Sequence, residues 1–340
     1  MNISDKIDPR DLAVVPQRVV DRALEGALKE CKAIVEKVYV DAANDQLVNP
    51  DSLFLRPDME GRERIIALPA YVPGDVSAMG VKWISSFPEN ISLDLPRASA
   101  LIVLNDLRTG FPVAVLEGAR ISAYRTALSA LVGAETLLGR DRSAAKVAVV
   151  GTGYISQTTL RVMADEAWSF GSLSVHDIDP SRARAFADRV PAHLAAEVSM
   201  ADDAGQAVAG ADLVLLATTA TVPHIADIGA SKSDAVVLHM SLRDLTPEAM
   251  TGATQVVDHV AHALREKTSL ALAVDQGTVQ QQEIQVIGDF LQGRVERDRG
   301  RRAIYSPFGL GSLDIAVAQL VLDRSRGAED VTVIPGFSSS

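Results

Sequence analysis

The sequence predicts an α/β protein in two parts, a mixed-sheet domain followed by a doubly wound parallel sheet, and three observations carry that prediction. Residues 52–117 break into short apolar or alternating runs separated by Pro, Gly, Asn and Asp, the pattern of an antiparallel or mixed sheet. From residue 145 onward, apolar runs alternate with helical segments, the pattern of parallel strands joined by crossover helices. A chain of 340 residues, 47% hydrophobic and 23% charged, is long enough and apolar enough for two cores.

The elements follow in order. Residues 16–42 (PQRVVDRALEGALKECKAIVEKVYVDA) place apolar side chains at helical spacing behind a proline start and predict one long amphipathic helix, with Cys31 on its core face. SLFLR, RIIALPAYV, AMGVKWISSF, ASALIVLND and PVAVLEG predict strands. Residues 119–138, ARISAYRTALSALVGAETLL, predict an Ala-rich helix linking the two domains. KVAVVG, LSVHD, ADLVLLATT and AVVLHMS predict strands of the parallel sheet, with helices running through 166 and 189. The last segment, SPFGLGSLDIAVAQLVLDRS, predicts a Gly-rich turn and an amphipathic helix that packs back on the first domain.

Charge and composition exclude several function classes. A net charge of −11 argues against a nucleic-acid partner or a polybasic membrane face, each of which needs clustered Lys and Arg. No apolar run approaches the length of a membrane span, and the opening MNISDKIDPRDL has no basic stretch followed by an apolar one. A single cysteine, Cys31, allows no disulfide framework and no thiolate metal cluster, which suits a reducing cytoplasm. The six histidines show no metal-ligand spacing such as HExxH, and no GxSxG marks a nucleophile elbow, so no metal site is expected. His239 and His259 lie near apolar runs and read as satisfied structural histidines.

The stretch VAVVGTGYISQTT, residues 147–159, points to a dinucleotide cofactor. Gly151 permits a tight turn and Gly153 lets the backbone approach a pyrophosphate. The helix opening at Tyr154 and Ile155 then aims its N–H groups and positive dipole end at that charge. Ser156 stands where a third Gly or Ala is usual and is still small enough for close helix packing. A strand precedes the motif, a helix follows it, and Asp177 closes the next strand about where an acid holds the adenosine ribose hydroxyls. This context separates a Rossmann site from its plainer alternative, a Gly-rich turn with no ligand. The acid favours NAD over NADP, while Arg182 and Arg184 nearby leave NADP open. In ATTAT, Thr218 and Thr219 suit either a cofactor lining or a solvent loop using Thr for its turn.

Four cations, Arg56, Lys82, Arg97 and Arg125, lie in or beside apolar segments of the first domain. Any one alone reads as a snorkelling surface cation; several together in an acidic chain suggest carboxylate recognition. Asp244, ahead of LTPEAM, has a plain reading as an acid near a helix N-cap, and Asp314 as a first-turn acid of the last helix.

The same residues carry a family resemblance. NPDSLFLRP, RIIALPAYV, GVKWISSFPENISLDLPRASALIVLND, PVAVLEGARISAYRTALSA, VAVVGTGYIS, MSLRD and SPFGLGSLDIA follow one another as in the ornithine cyclodeaminase and mu-crystallin family. The first-domain stretch is most similar to the branch of N-(2-amino-2-carboxyethyl)-L-glutamate dehydrogenases that make 2,3-diaminopropionate for siderophores or peptide antibiotics. The resemblance implies a Rossmann NAD-binding domain over residues 131–304, inserted in a substrate-binding and dimerisation domain of residues 1–130 and 305–340. It therefore implies a homodimer and a small amino-acid substrate. It further implies that Arg56, Lys82 and Arg125 grip substrate carboxylates, with Arg97 beside them, and that Asp244 is a catalytic acid–base group alongside Lys82. Arg125, Thr126, Ser241 and Asp314 would border the cofactor. One departure bears on the substrate: ornithine-cyclising relatives carry an acid shortly before the MetPro of the second strand, where this chain has Ile65, Ile66 and Ala67 before LeuPro. That weakens ornithine cyclisation and favours the dehydrogenase branch; alanine dehydrogenation and cyclic-imine reduction on the same fold stay open, and Lys82, Arg125 and Asp244 together speak against a purely ligand-binding role.

Overall fold

The computed structural model describes residues 8–58, 63–139 and 141–338, so the first seven residues of the opening stretch lie outside it. The chain divides into two compact units, Met1–Arg125 with Leu310–Ser340, and Thr126–Gly309.

In the first unit, β1 (Leu12–Val15) is followed by helices α1 (Gln17–Leu24) and α2 (Leu28–Ala43). Strands β2 (Leu53–Leu55), β3 (Arg64–Val72), β4 (Ala78–Ser86), β5 (Ala98–Asn105) and β6 (Pro112–Glu117) come next. The chain returns at the end as a C-terminal helix, Gly311–Arg324, and a strand, Thr332–Ile334. The seven strands run in the order Thr332–Ile334, β1, β6, β5, β4, β3, β2, antiparallel throughout except for the parallel pair β1–β6. Alternation in β4 sends Ala78, Gly80, Lys82 and Ser86 to the buried face and leaves Trp83 42% exposed on the other. The C-terminal helix covers that buried face, packing on β3, β4 and α2. Its first residue must be small: a Cβ on Gly311 would sit 3.1 Å from the Leu68 carbonyl oxygen. Leu313, Val317 and Val321 on this helix and Ile102, Leu104 and Leu116 on the sheet are fully buried, at roughly 1.5–3 kcal/mol of hydrophobic stabilisation each.

One expectation is corrected here. Residues 16–42 form two helices, broken at Glu25–Ala27 with Gly26 at φ +67°. Glycine adopts this left-handed conformation without a Cβ penalty and ends α1. Apolar spacing does not reveal the break, because α1 and α2 both bury a face in the same unit. Cys31 is in the core as expected, and burial pushes its thiol up to about 12.

Helix α3 (Gly118–Leu137) carries the chain from the first unit into the second, its first turn capped by the Glu117 carboxylate, which accepts from the Ala119 and Arg120 N–H groups at 2.8 and 3.0 Å. The second unit alternates strands β7 (Ser143–Val150), β8 (Ser169–His176), β9 (Val198–Met200), β10 (Leu213–Leu216), β11 (Val236–His239), β12 (Thr254–Val257), β13 (Gln285–Val286) and β14 (Ala303–Tyr305) with mostly short helices. The first of these helices are α4 (Tyr154–Asp165) and α5 (Pro180–Ala187). All eight strands pair in parallel, in the order β13, β12, β14, β11, β10, β7, β8, β9. The fold is thus α/β with a doubly wound sheet, as the alternation predicted. LVLL of β10 and VVLH of β11 are buried at every position, as central parallel strands with both faces covered must be. Strand order reverses between β7 and β10, which opens a crevice at their carboxyl ends. No helix of the described residues is long and apolar enough to cross a membrane.

Close packing at one point gives a test. A Cβ on Gly133 of α3 would lie 2.4 Å from the ring of Tyr305, which is fully buried in β14. Gly133→Ala is expected to destabilise the protein by about 1–3 kcal/mol through overpacking; a urea midpoint equal to wild type would show that the helix yields freely there.

Candidate functional site

The buried face of β4 holds a cluster of buried charges. Lys82 Nζ donates to Asp314 Oδ2 at 2.6 Å and to Ser122 Oγ at 3.2 Å, and Arg125 Nε donates to Asp314 Oδ1 at 3.1 Å. Lys82 is 2% exposed, Arg125 8% and Asp314 not at all. Burial pushes Lys82 down, against the pull of Asp314 and together with the Arg125 charge, to about 8. For Asp314, burial acts to raise the carboxyl, but Arg125 and Lys82 outweigh it and hold the group below its ordinary range. Lys82 and Arg125 thus bring two buried cationic side chains to the two oxygens of the Asp314 carboxylate. Asp314 is therefore no simple first-turn acid: it cross-links β4 and α3 to the C-terminal helix.

The other two sequence-singled cations stand apart from this cluster. Arg97 donates to Ser86 Oγ at 2.7 Å, and burial lowers its guanidinium from the usual value. Ser86 shares the Lys82 face of β4, four residues along, or roughly 13 Å. Arg56 lies with its guanidinium 4.8 Å over the Phe54 ring.

At the carboxyl end of β7, Gly151 has φ +88°, and a Cβ there would meet the Ala217 carbonyl oxygen at 2.7 Å. Glycine is thus required both by backbone conformation and by the close approach of the chain leaving β10. Gly153 caps α4 without a side chain, and a Cβ on it would meet nothing within 4 Å, so the chain entering this helix N-terminus borders open space of the kind a diphosphate fills. Tyr154 is exposed and Ile155 half-buried at the start of this helix, and Ser156 donates back to the Gly151 carbonyl at 2.6 Å. Asp177 follows β8 and is oriented by Thr152, whose N–H and Oγ1 donate to Oδ2 at 2.8 and 2.7 Å, and by the Asp179 N–H at 3.1 Å on Oδ1. Burial raises this half-buried carboxyl, yet the Thr152 bonds prevail and lower it; it stays ionised, with acceptor capacity left for a ribose hydroxyl. These features fit a dinucleotide such as NAD. Thr126 is half-buried in α3 and Thr219 exposed beyond β10.

A second network lies beyond β10 and β11. Asp244, with no exposed surface, accepts the Thr218 hydroxyl on Oδ1 and the Ser241 hydroxyl on Oδ2. Burial raises its carboxyl above the ordinary range, against the Thr218 bond and the nearby His224. The helix-cap alternative for Asp244 fails, because the following 3-10 turn, Glu248–Met250, starts from Pro247 and takes no bond from it. The turn that aims Ser241 and Asp244 holds Leu242 at φ +66°, a conformation that costs a leucine roughly 1–2 kcal/mol and persists where surroundings over-determine it. His239 is fully buried; its Nε2 accepts the Asp244 N–H at 3.1 Å and its Nδ1 lies 3.3 Å from Ser306 Oγ, while burial lowers it to about 3. His239 is satisfied, as expected, but the buried Nδ1 of His259 has no hydrogen-bond partner.

Sequence reasoning missed Ser122, Thr152, His224 and Asp258. Asp258, fully buried after β12, accepts the N–H groups of His259, Phe308 and Gly309 at 2.9, 3.0 and 2.7 Å and so holds the SPFG turn. An acid directly following the apolar TQVV was the available signal. No group of three or more His, Cys, Asp or Glu side chains among the described residues is placed to hold a metal.

A model of the ornithine cyclodeaminase/mu-crystallin family matches residues 17–329. The chain is 27% identical over 308 residues to the N-((2S)-2-amino-2-carboxyethyl)-L-glutamate dehydrogenase of Staphylococcus aureus, covering 85% of this chain and 90% of that protein. It shares its fold with the Δ1-pyrroline-2-carboxylate reductase of Thermococcus litoralis, solved with NADH and L-proline, at TM-score 0.83 and 24% identity over 92% and 97% of the two chains. The likeness to an archaeal alanine dehydrogenase dimer with bound NAD is equally close, at TM-score 0.83 and 21% identity over 95% and 99%.

Asp314→Asn would leave two buried cations facing a neutral amide. The expected loss is about 3–5 kcal/mol of stability, against about 1 kcal/mol for Ser122→Ala. Urea unfolding of both variants checks the ranking, and equal losses would mean that the ion pairs add nothing beyond a hydrogen bond.

Proposed function

We propose that this chain, which belongs to the ornithine cyclodeaminase/mu-crystallin family, is an NAD-dependent dehydrogenase that oxidises the CH–NH group of N-(2-amino-2-carboxyethyl)-L-glutamate and releases 2-oxoglutarate and 2,3-diaminopropionate, the latter a building block for siderophores or peptide natural products. The observation that carries this reading is the buried Lys82–Asp314–Arg125 cluster, with Arg97 bonded to Ser86 on the same sheet face. A substrate with three carboxylates uses such a set, whereas a simple amino acid has one. The similarity to the staphylococcal enzyme supports the same substrate. Ile65, Ile66 and Ala67 stand half-buried in β3, where ornithine-cyclising relatives carry an acid, and leave that chemistry without its carboxylate.

In this reading the first unit binds the substrate. Lys82 and Arg125 hold the carboxylate beside the reacting carbon, Arg97 and Arg56 take the distal ones, and Lys82 also orients the attacking water. The second unit holds NAD through the Gly151–Gly153 turn, the α4 N-terminus and Asp177, with Thr218, Thr219 and Ser241 beside it. When bound, the cofactor accepts the hydride. Asp244 receives the proton given up by the amine and the water, a task suited to a carboxyl held above its ordinary range. The balance is one substrate ammonium, NAD and water in; 2-oxoglutarate, diaminopropionate as its ammonium form, NADH and one proton out.

A homodimer belongs to the same proposal. Trp83, Leu101 and Tyr71, 42%, 39% and 36% exposed, lie on the sheet face opposite the C-terminal helix and offer a large apolar surface to a second copy. Trp83→Asp is expected to convert a dimer into a monomer by light scattering on a sizing column; a monomeric wild type overturns the assignment.

The decisive assay incubates the protein with NAD and N-(2-amino-2-carboxyethyl)-L-glutamate, ornithine, alanine or proline, follows NADH and identifies products by mass spectrometry. NADH with 2-oxoglutarate and 2,3-diaminopropionate is the expected result; proline and ammonia from ornithine would replace it with cyclisation. The KM is expected to rise as pH passes upward through about 8, where Lys82 loses the proton that makes it a carboxylate ligand; a KM flat across that range would remove Lys82 from the binding role.

A further inference from the structure

We propose that His224 carries the catalytic proton between Asp244 and solvent. This rests on the reading of Asp244 as proton acceptor. Asp244 has no exposed surface, so a proton it accepts needs a route out before the next turnover. Each of its two carboxylate oxygens faces one histidine: Oδ2 lies 3.8 Å from His239 Nε2, and Oδ1 lies 4.0 Å from His224 Nδ1.

The two histidines are not equivalent. His239 is 1% exposed, its Nε2 lone pair is taken by the Asp244 N–H, and burial suppresses its charged form. A proton arriving there would cost that hydrogen bond and place a cation in the core. His224 has a side chain 45% exposed, so it can take a proton on Nδ1 and release one from Nε2 to water without that penalty. Its position is also anchored. The N–H groups of His224 and Ile225 donate to the Asp244 carbonyl at 2.9 and 2.8 Å, and Ile225 pairs with Leu245 as an isolated bridge. The backbone that carries the relay is thus fastened to the residue it serves, and Pro223 before it narrows the loop's freedom. A gap of 4.0 Å is closed by a small rotation of the exposed ring or by one water.

The step balances simply. The amine proton passes to Asp244 Oδ1, then to His224 Nδ1 to give an imidazolium, and Nε2 loses its proton to solvent. That is the single proton the overall reaction releases.

Stopped-flow measurement of NADH formation and of proton release with a pH indicator, on wild type, His224→Phe and His224→Gln, tests the relay with the substrate panel above. First-turnover NADH formation is expected to stay near wild type, while proton release and steady-state turnover slow by at least about tenfold in both variants. Added imidazole is expected to restore both, which a purely structural defect would not permit. Proton release in step with wild type, or no response to imidazole, overturns the relay while leaving the dehydrogenase reading intact. If wild type reduces NAD with no member of the panel, the dehydrogenase reading and the relay fall together.

Discussion

Asp314 is the point on which the first unit depends. A carboxylate with no exposed surface, set in the helix GSLDIAVA, cannot stay ionised unless cations meet it, because burying an isolated charge costs more than folding supplies. Lys82 from β4 and Arg125 from α3 meet it, one on each oxygen. The ion pairs thereby set where the C-terminal helix lies on the sheet, and they explain why the last thirty or so residues belong with the first 125. Asp314 in turn opposes the burial that lowers Lys82, so the pairing supports the cationic form of a lysine set inside the first unit.

The second unit works by a different constraint. Its central strands are buried on both faces and apolar except for His239 at the end of β11, so the polar groups collect where the strands end. Gly151, Asp177, Thr218 and Ser241–Asp244 follow β7, β8, β10 and β11 in turn. The turns holding them are held in place rather than loose. Asp177 is fixed by Thr152, Asp244 by two hydroxyls and the His239-bonded N–H, and Asp258 by three backbone N–H groups. Leu242 in a left-handed conformation is the visible cost of aiming Ser241 and Asp244.

Much of this was legible beforehand, for physical reasons that differ by residue. Strand and helix periods expose the sheet classes, since burial on one face or two leaves a period of two or an unbroken apolar run. The dinucleotide turn is legible because its geometry demands glycine at Gly151. The break at Gly26 was not, since both helices bury faces in one unit and the spacing runs through it. His224 was passed over because an exposed histidine after Thr-Val-Pro carries no local signal; its partner lies twenty residues on.

By itself the sequence determined the kind of elements, their order, the cofactor turn and the family, all of which rest on local spacing or on short ordered motifs. Only the tertiary structure decided which charges act together. Lys82, Arg125 and Asp314 are separated by dozens to hundreds of residues, and each alone reads as a surface cation or a helix-end acid. Asp244 reads as a cap until Thr218 and Ser241 are seen to bind it. Partnership of buried charges depends on distances across the fold, and no periodicity along the chain encodes those.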